Sequence, residues 1–154
     1  MLRKFRNEKG DSVIALVRRA DALQQLKQRF TNNLTIKYLD LTDVEQIEAV
    51  LTEVFESERK VDYVVSNAAY GLFGAAEDLS ASQIDKQIST NLVGSIHLIR
   101  FTLPYLRNQG GGRIIQVSSE GGRVAYPGFS LYHATKWGIE GFVESVMQEV
   151  AEFS

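Results

Sequence analysis

Four short apolar runs punctuate the chain: SVIALV (12–17), LTIKYL (34–39), VDYVVS (61–66) and RIIQVS (113–118). Longer stretches with helical spacing separate them. Asp21 precedes ALQQLKQRF (22–30) and reads as its N-cap. Thr42-Asp43-Val44-Glu45 has the pattern of a capping box, followed by Val44, Ile47, Val50, Leu51 and Val54 at helical intervals. Ser80-Ala81-Ser82-Gln83 is a second such box and opens a helical region reaching about Asn108. A last helical stretch runs from about Tyr132 to the end. Strand and helix in repeated alternation are the mark of parallel crossovers. Runs that are apolar throughout, rather than at every second residue, fit a sheet covered on both faces. The expectation is a single α/β domain over residues 1–154 with a doubly wound parallel sheet.

Ligands of such sheets lie beyond the carboxyl ends of the strands. The informative positions are therefore Arg18, Asp40, residues 66–70 and residues 118–122. Several partner classes fall away on composition. The net charge of −2, with signs interspersed, offers no electrostatic footprint for nucleic acid. With no cysteine there is no disulfide frame, thiolate metal site or cysteine nucleophile. Two histidines without placed carboxylates make no metal site. No apolar run approaches the ~20 residues of a membrane helix, so the expectation is a soluble cytoplasmic protein. Gly110-Gly111-Gly112 precedes a strand rather than following one, which makes it a turn and not a phosphate loop. His97 and Trp137 read as packing residues, and His133 as facing about 100° away from Tyr132 around the helix.

The stretch SSEGGRVAYPGFSLYHATK (118–136) reads differently. Tyr132 and Lys136 stand four apart, on one face of a helix. A free phenol titrates near ~10 and exchanges protons poorly at neutral pH. An ammonium one turn away favours the phenolate, which is why a tyrosine acid/base needs a lysine there. A serine after the preceding strand can donate to a substrate oxygen as charge develops on it. Tyr-x-x-x-Lys also arises by chance in helices, so the pair alone does not define a site.

Taken with its surroundings, the chain resembles the short-chain dehydrogenase/reductase family from about Ser12 to the end. Tyr132-His133-Ala134-Thr135-Lys136 is similar to the family's Tyr-x-x-x-Lys, with Ser119 thirteen residues upstream. Asn91, in Thr90-Asn91-Leu92-Val93-Gly94, is similar to its active-site asparagine. Ser66-Asn67-Ala68-Ala69 resembles its Asn-Asn-Ala-Gly turn, departing at Ser66 and Ala69. The resemblance implies Tyr132 as general acid/base and Lys136 as its cationic neighbour and holder of the nicotinamide ribose. It implies Ser119 as the group that polarises the carbonyl. Ser119 is preferred to Ser118, which reads as still within the strand and pointing elsewhere. Asn91 would support the helix and a water path to Lys136; read alone, it is also a helix-interior polar residue satisfied by backbone.

The resemblance also implies a nicotinamide cofactor held by Arg18, Asp40, Leu41, Asn67, Ala68, Tyr132 and Lys136. NADP is favoured over NAD, because Val17 stands where an acid would be and Arg18-Arg19 offers charge-assisted bonds to a 2′-phosphate. Two arginines can equally solvate a loop, and Asp40 can equally serve a turn.

The family's first strand and its Gly-rich phosphate loop have no counterpart in the sequence, nor have its later strands. Leu2 and Phe5 read as the end of a first helix capped by Gly10. An incomplete Rossmann-like sheet is therefore expected, with the strand between SVIALV and VDYVVS missing and poor folding of the isolated piece. In full-length form the implied activity is interconversion of a small alcohol and a carbonyl, in a homodimer or homotetramer. The alternative is a non-catalytic fragment acting as an interaction or dimerisation module. A sugar-nucleotide epimerase also uses Tyr-x-x-x-Lys, but the compact spacing and Arg18 argue against it.

Overall fold

A computed structural model of the chain describes residues 11–30 and 32–153. The helix end expected at Leu2, Phe5 and Gly10 lies outside them. The chain divides into two compact units, one up to Asp40 and one from Leu41 onward.

The first unit holds β1 (Val13–Val17), a 3₁₀ turn (Ala20–Leu23), α1 (Gln24–Arg29) and β2 (Leu34–Tyr38). The strands pair in parallel, Val13 opposite Leu34 and Val17 opposite Tyr38. Asp21 is not the cap expected of it: it sits inside the 3₁₀ turn, and Arg19 precedes that turn without a side-chain cap. Leu23 precedes α1 and makes no cap bond either. The tighter turn takes the place of a capped entry.

The second unit begins with α2 (Val44–Ser57) and β3 (Tyr63–Ser66). Asp43, one residue later than expected, is the N-cap of α2, accepting from the Gln46 N–H at 3.0 Å. Asp and Thr are both good caps, and Asp43 supplies the extended backbone the position needs. Ile47, Leu51 and Val54 are the buried stripe that the periodicity indicates. Ser80 then forms the expected capping box with Gln83, opening α3 (Ala81–Ile88). A π-helical segment (Ser89–Val93) joins α3 to α4 (Gly94–Asn108) without a break. The Phe55 and Tyr105 rings stack at 4.7 Å, fastening α2 to α4. Gly110, Gly111 and Gly112, all at positive φ, form the expected turn into β4 (Arg113–Gln116). A 3₁₀ turn (Glu120–Gly122) and α5 (Ser130–Glu149) follow, with a final 3₁₀ turn at Ala151–Phe153.

β3 and β4 pair in parallel, with Val65 opposite Ile115. Among the described residues no ladder joins this pair to β1–β2, so the parallel strands form two separate two-stranded sheets. Part of the apolar surface lies open, as expected of an incomplete sheet. Tyr63 (62%), Val65 (46%) and Ile115 (46%) are exposed, whereas Val64 and Ile114 are partly covered. Val, Ile and Tyr carry the β propensity the strands need, and a two-stranded sheet leaves part of their apolar surface uncovered. Trp137 is likewise exposed rather than packed.

Candidate active site

The carboxyl ends of β3 and β4, the π-helical segment and α5 meet in the second unit. β3 ends on Ser66, whose buried hydroxyl donates to Ser95 Oγ at 3.5 Å; Ser95 in turn donates to the Asn91 carbonyl at 3.2 Å. The departure from the family turn at Ser66 thus has a use: it ties the strand end to the helix. Asn67 and Ala68, next along, are exposed.

Asn91 lies in the π segment and is 1% exposed. Its Oδ1 accepts from the Tyr70 N–H at 3.0 Å, and its Nδ2 donates to the Tyr70 carbonyl at 2.7 Å. Nδ2 also reaches Thr135 Oγ1 at 3.3 Å. These contacts fix the amide orientation, since a flip would turn donors toward the Tyr70 N–H. Gln87, one turn earlier and fully buried, adds a second donor to the Tyr70 carbonyl at 2.9 Å. The expected structural satisfaction of Asn91 by backbone is found, and its partners are the loop after β3 and the helix bearing Tyr132. Main-chain breaks of this π type often accompany functional sites, because they displace one residue from the regular helix.

α5 presents the remaining groups. Thr135 donates to the Tyr132 carbonyl at 2.7 Å, so the contact from Asn91 is delivered between Tyr132 and Lys136. Lys136 is 3% exposed; its Nζ stands 5.8 Å from the Tyr132 ring centroid and donates to the Val117 carbonyl at 3.1 Å. A buried ammonium needs such partners, and two of its three donors remain for others. Phe129 packs edge-on against Tyr132 at 6.4 Å, and Gly71 faces both rings.

Ser119 and Ser118 both lie beyond β4, which ends at Gln116; the ladder closes with the Val117 N–H donating to the Ser66 carbonyl at 2.8 Å. Ser118 is therefore not within the strand as expected, although it does point away from Ser119's partners. Its buried hydroxyl makes no aligned hydrogen bond, but it converges on Glu140: a Cβ on Gly122 would lie 3.0 Å from Ser118 Oγ and 3.1 Å from Glu140 Cγ. A hydroxyl rotor can turn to that carboxylate. The Glu140 carboxyl is held below its ordinary range, first by the Ser118 hydroxyl and then by cationic Arg123 and Lys136, against the opposing effect of burial. Ser119 Oγ accepts from the Gly121 N–H at 3.1 Å.

His133, read from the sequence as a bystander, is buried and fully engaged. Its Nε2 accepts from the Tyr126 N–H at 2.9 Å, and its Nδ1 pairs with the Gly121 carbonyl at 2.8 Å. Gln87 and Thr135 were passed over too. Their only sequence signal is position, Gln87 one turn before Asn91 and Thr135 between the paired residues of α5. Tyr126 donates to Glu120 Oε1 at 2.7 Å, which holds the phenol above its ordinary value.

The structure thus brings Asn91, Ser119, Tyr132 and Lys136 into one unit. Leu41 is in the same unit, its carbonyl and Cβ against Gly94. Arg18, exposed past β1, and Asp40, half-buried past β2, belong to the first. Among the described residues no cluster of three or more His, Cys, Asp or Glu side chains could hold a metal. No helix there is long and apolar enough to cross a membrane.

A parallel α/β architecture with a lysine–tyrosine pair on the helix after a strand defines a class, and comparison with known proteins identifies it. A family model described as short chain dehydrogenase matches residues 4–154. Oxidoreductase BOA17 of Botryotinia fuckeliana is 38% identical over 145 residues, 94% of this chain and 53% of that protein. An uncharacterized oxidoreductase, YusZ of Bacillus subtilis, is 33% identical over 92% of this chain and 52% of its own. A short-chain dehydrogenase from Streptomyces avermitilis superposes with a TM-score of 0.90 at 34% identity, covering 94% of this chain and 53% of that one. A metagenomic short-chain oxidoreductase, solved in complex with NADP, superposes at 0.87 with 25% identity, over 92% and 66% of the two chains. The chain belongs to the short-chain dehydrogenase family. It spans about half the length of these curated relatives.

Proposed function

We propose that the protein, in its full-length form, is an oxidoreductase that interconverts an alcohol and a carbonyl with a nicotinamide cofactor, NADP(H) in preference to NAD(H). The observation that carries the reading is the Tyr132–Lys136 pair, its ammonium 5.8 Å from the phenol ring and its helix gripped between the two by Asn91. The oxidoreductase relatives favour it over a non-catalytic interaction module.

The residues present fit the ribose end of such a cofactor. Lys136 Nζ spends one donor on Val117, and the two that remain suit a ribose diol. Asn67 and Ala68, exposed after β3, and Leu41 would line its path. Arg18 would meet a 2′-phosphate and Asp40 the adenine. Preference for NADP is supported by Arg18 and by the bound NADP of the metagenomic relative.

When bound, the nicotinamide supplies or accepts the hydride. In the reductive direction Tyr132 gives its hydroxyl proton to the carbonyl oxygen as the hydride reaches carbon; in the oxidative direction the phenolate takes that proton back. Lys136 stabilises the phenolate that forms. Ser119 donates a hydrogen bond to the same oxygen. Asn91 holds Tyr70 and Thr135, and so fixes the spacing of α5 from the loop after β3. On the family's habit the protein is a cytoplasmic homodimer or homotetramer acting on a small molecule.

The test is Tyr132→Phe in the full-length protein, assayed by NADPH oxidation with a nitrobenzaldehyde and by NADPH fluorescence. Turnover should fall below detection while NADPH still binds. Retained turnover would remove Tyr132 from the chemistry and the reading with it.

A further inference from the structure

We propose that His133 is the positioning residue that sets the Ser119 hydroxyl for the substrate oxygen. The proposal depends on the oxidoreductase reading above for its function, though not for its geometry. The imidazole is buried between α5 and the segment that follows β4, and each ring nitrogen holds one end of that segment. Nε2 accepts from the Tyr126 N–H, so Nδ1 carries the proton and donates to the Gly121 carbonyl. One neutral tautomer satisfies both bonds, and the opposite tautomer satisfies neither.

Gly121 passes this constraint on. Its carbonyl is held by His133, and its N–H is donated to Ser119 Oγ at 3.1 Å. That bond fills a lone pair of the serine oxygen, and the hydroxyl proton is left to donate. A serine that polarises a carbonyl needs this polarity. Contact here is also close: a Cβ on Gly121 would sit 2.8 Å from His133 Nδ1 and 3.1 Å from Tyr132 Cε1. The loop backbone, the imidazole edge and the phenol ring therefore share one tight junction.

Between Gly121 and Tyr126 the other side-chain fasteners are weaker. Arg123 bonds Glu140 at 2.9 Å and Glu144 at 3.0 Å, but its side chain is exposed, and exposed ion pairs contribute little. The Tyr126–Glu120 bond is also exposed and lies within the segment itself. His133 makes two bonds from a buried position, where an unmet partner is expensive.

Three substitutions separate positioning from general support. His133→Phe keeps a ring of similar size without polar atoms, His133→Asn keeps a donor near Nδ1, and His133→Gln keeps an acceptor near Nε2. With NADPH and a nitrobenzaldehyde, His133→Phe should lower kcat about 10²-fold with KM for NADPH unchanged. His133→Asn should recover more of the loss than His133→Gln, because Gly121 is the link to Ser119. In a Ser119→Ala background His133→Phe should cost nothing further; losses that add would overturn the proposal, as would an unchanged kcat in the single variant. Tyr132→Phe is the control: its retained turnover refutes the oxidoreductase reading and not the geometry. The geometry is read separately by NMR. Imidazole ¹⁵N shifts should report Nδ1 protonation, and His133→Phe should speed amide exchange at Gly121 and Tyr126. The opposite tautomer, or undiminished protection of both amides, would refute the His133 role whatever the activity.

Discussion

Asn91 pairs with Tyr70 as one strand residue pairs with another, accepting from its N–H at 3.0 Å and donating to its carbonyl at 2.7 Å. A side chain here stands in for a backbone partner. Asn91→Ala leaves the Tyr70 N–H unpaired, and such a loss typically costs about 1–3 kcal/mol. Asn91→Asp should cost more than the alanine change, since the oxygen replacing Nδ2 faces the Tyr70 carbonyl. Urea unfolding should show both as a lower midpoint at constant slope. An alanine variant as stable as the parent would mean that Tyr70 finds another partner at no cost.

Gly94 opens α4 against the carbonyl of Leu41. A Cβ there would lie 2.4 Å from that oxygen and 2.8 Å from Leu41 Cβ. Alanine is the better helix former by about 1 kcal/mol. Overpacking a close contact costs about 1–3 kcal/mol, and here the obstacle is backbone, which cannot rotate aside. Gly94→Ala is therefore expected to destabilise the protein, seen as a lower thermal midpoint. A higher midpoint would show that Leu41 can retreat.

Glu140 links stability to pH. Its folded carboxyl titrates below the ordinary range, mainly through the Ser118 hydroxyl and then through Arg123 and Lys136. A depressed folded value means that the carboxylate form is favoured by folding. The contribution is full above the unfolded value, near ~4.3 for glutamate, and is lost as pH falls through the lower folded value. Glu140→Gln should therefore lose stability at neutral pH and lie closer to the parent in acid. Chemical denaturation at neutral pH and in acid measures this; a gap between parent and variant that widens in acid would contradict the sign.

The sequence made plain what neighbouring residues decide. Ser80 and Gln83 announce their helix start because the capping box closes within three residues, and the three glycines announce their turn by backbone freedom alone. Thr42 against Asp43 is a choice between two good caps, which sequence pattern does not resolve. The open face at Tyr63, Val65 and Ile115 agrees with the incomplete sheet expected from the sequence. Tyr132 and Lys136 were legible because the helix itself brings them together. The grip of Asn91 on Tyr70, 21 residues away, and of His133 on Gly121, 12 away, depends on how separate segments meet.

The π segment at Ser89–Val93 makes chain length a determinant of where Asn91 sits. A π turn accommodates one residue more than a regular helix would. Removing one residue there would let α3 and α4 run on as an unbroken α-helix, each keeping its phase, while Asn91 lost its place opposite Tyr70. Removing one residue elsewhere in either helix would instead turn everything beyond it by about 100° and misplace the core. In an alignment of relatives, a single-residue gap at this spot would mark lineages that kept the scaffold and lost the pairing of Asn91 with Tyr70.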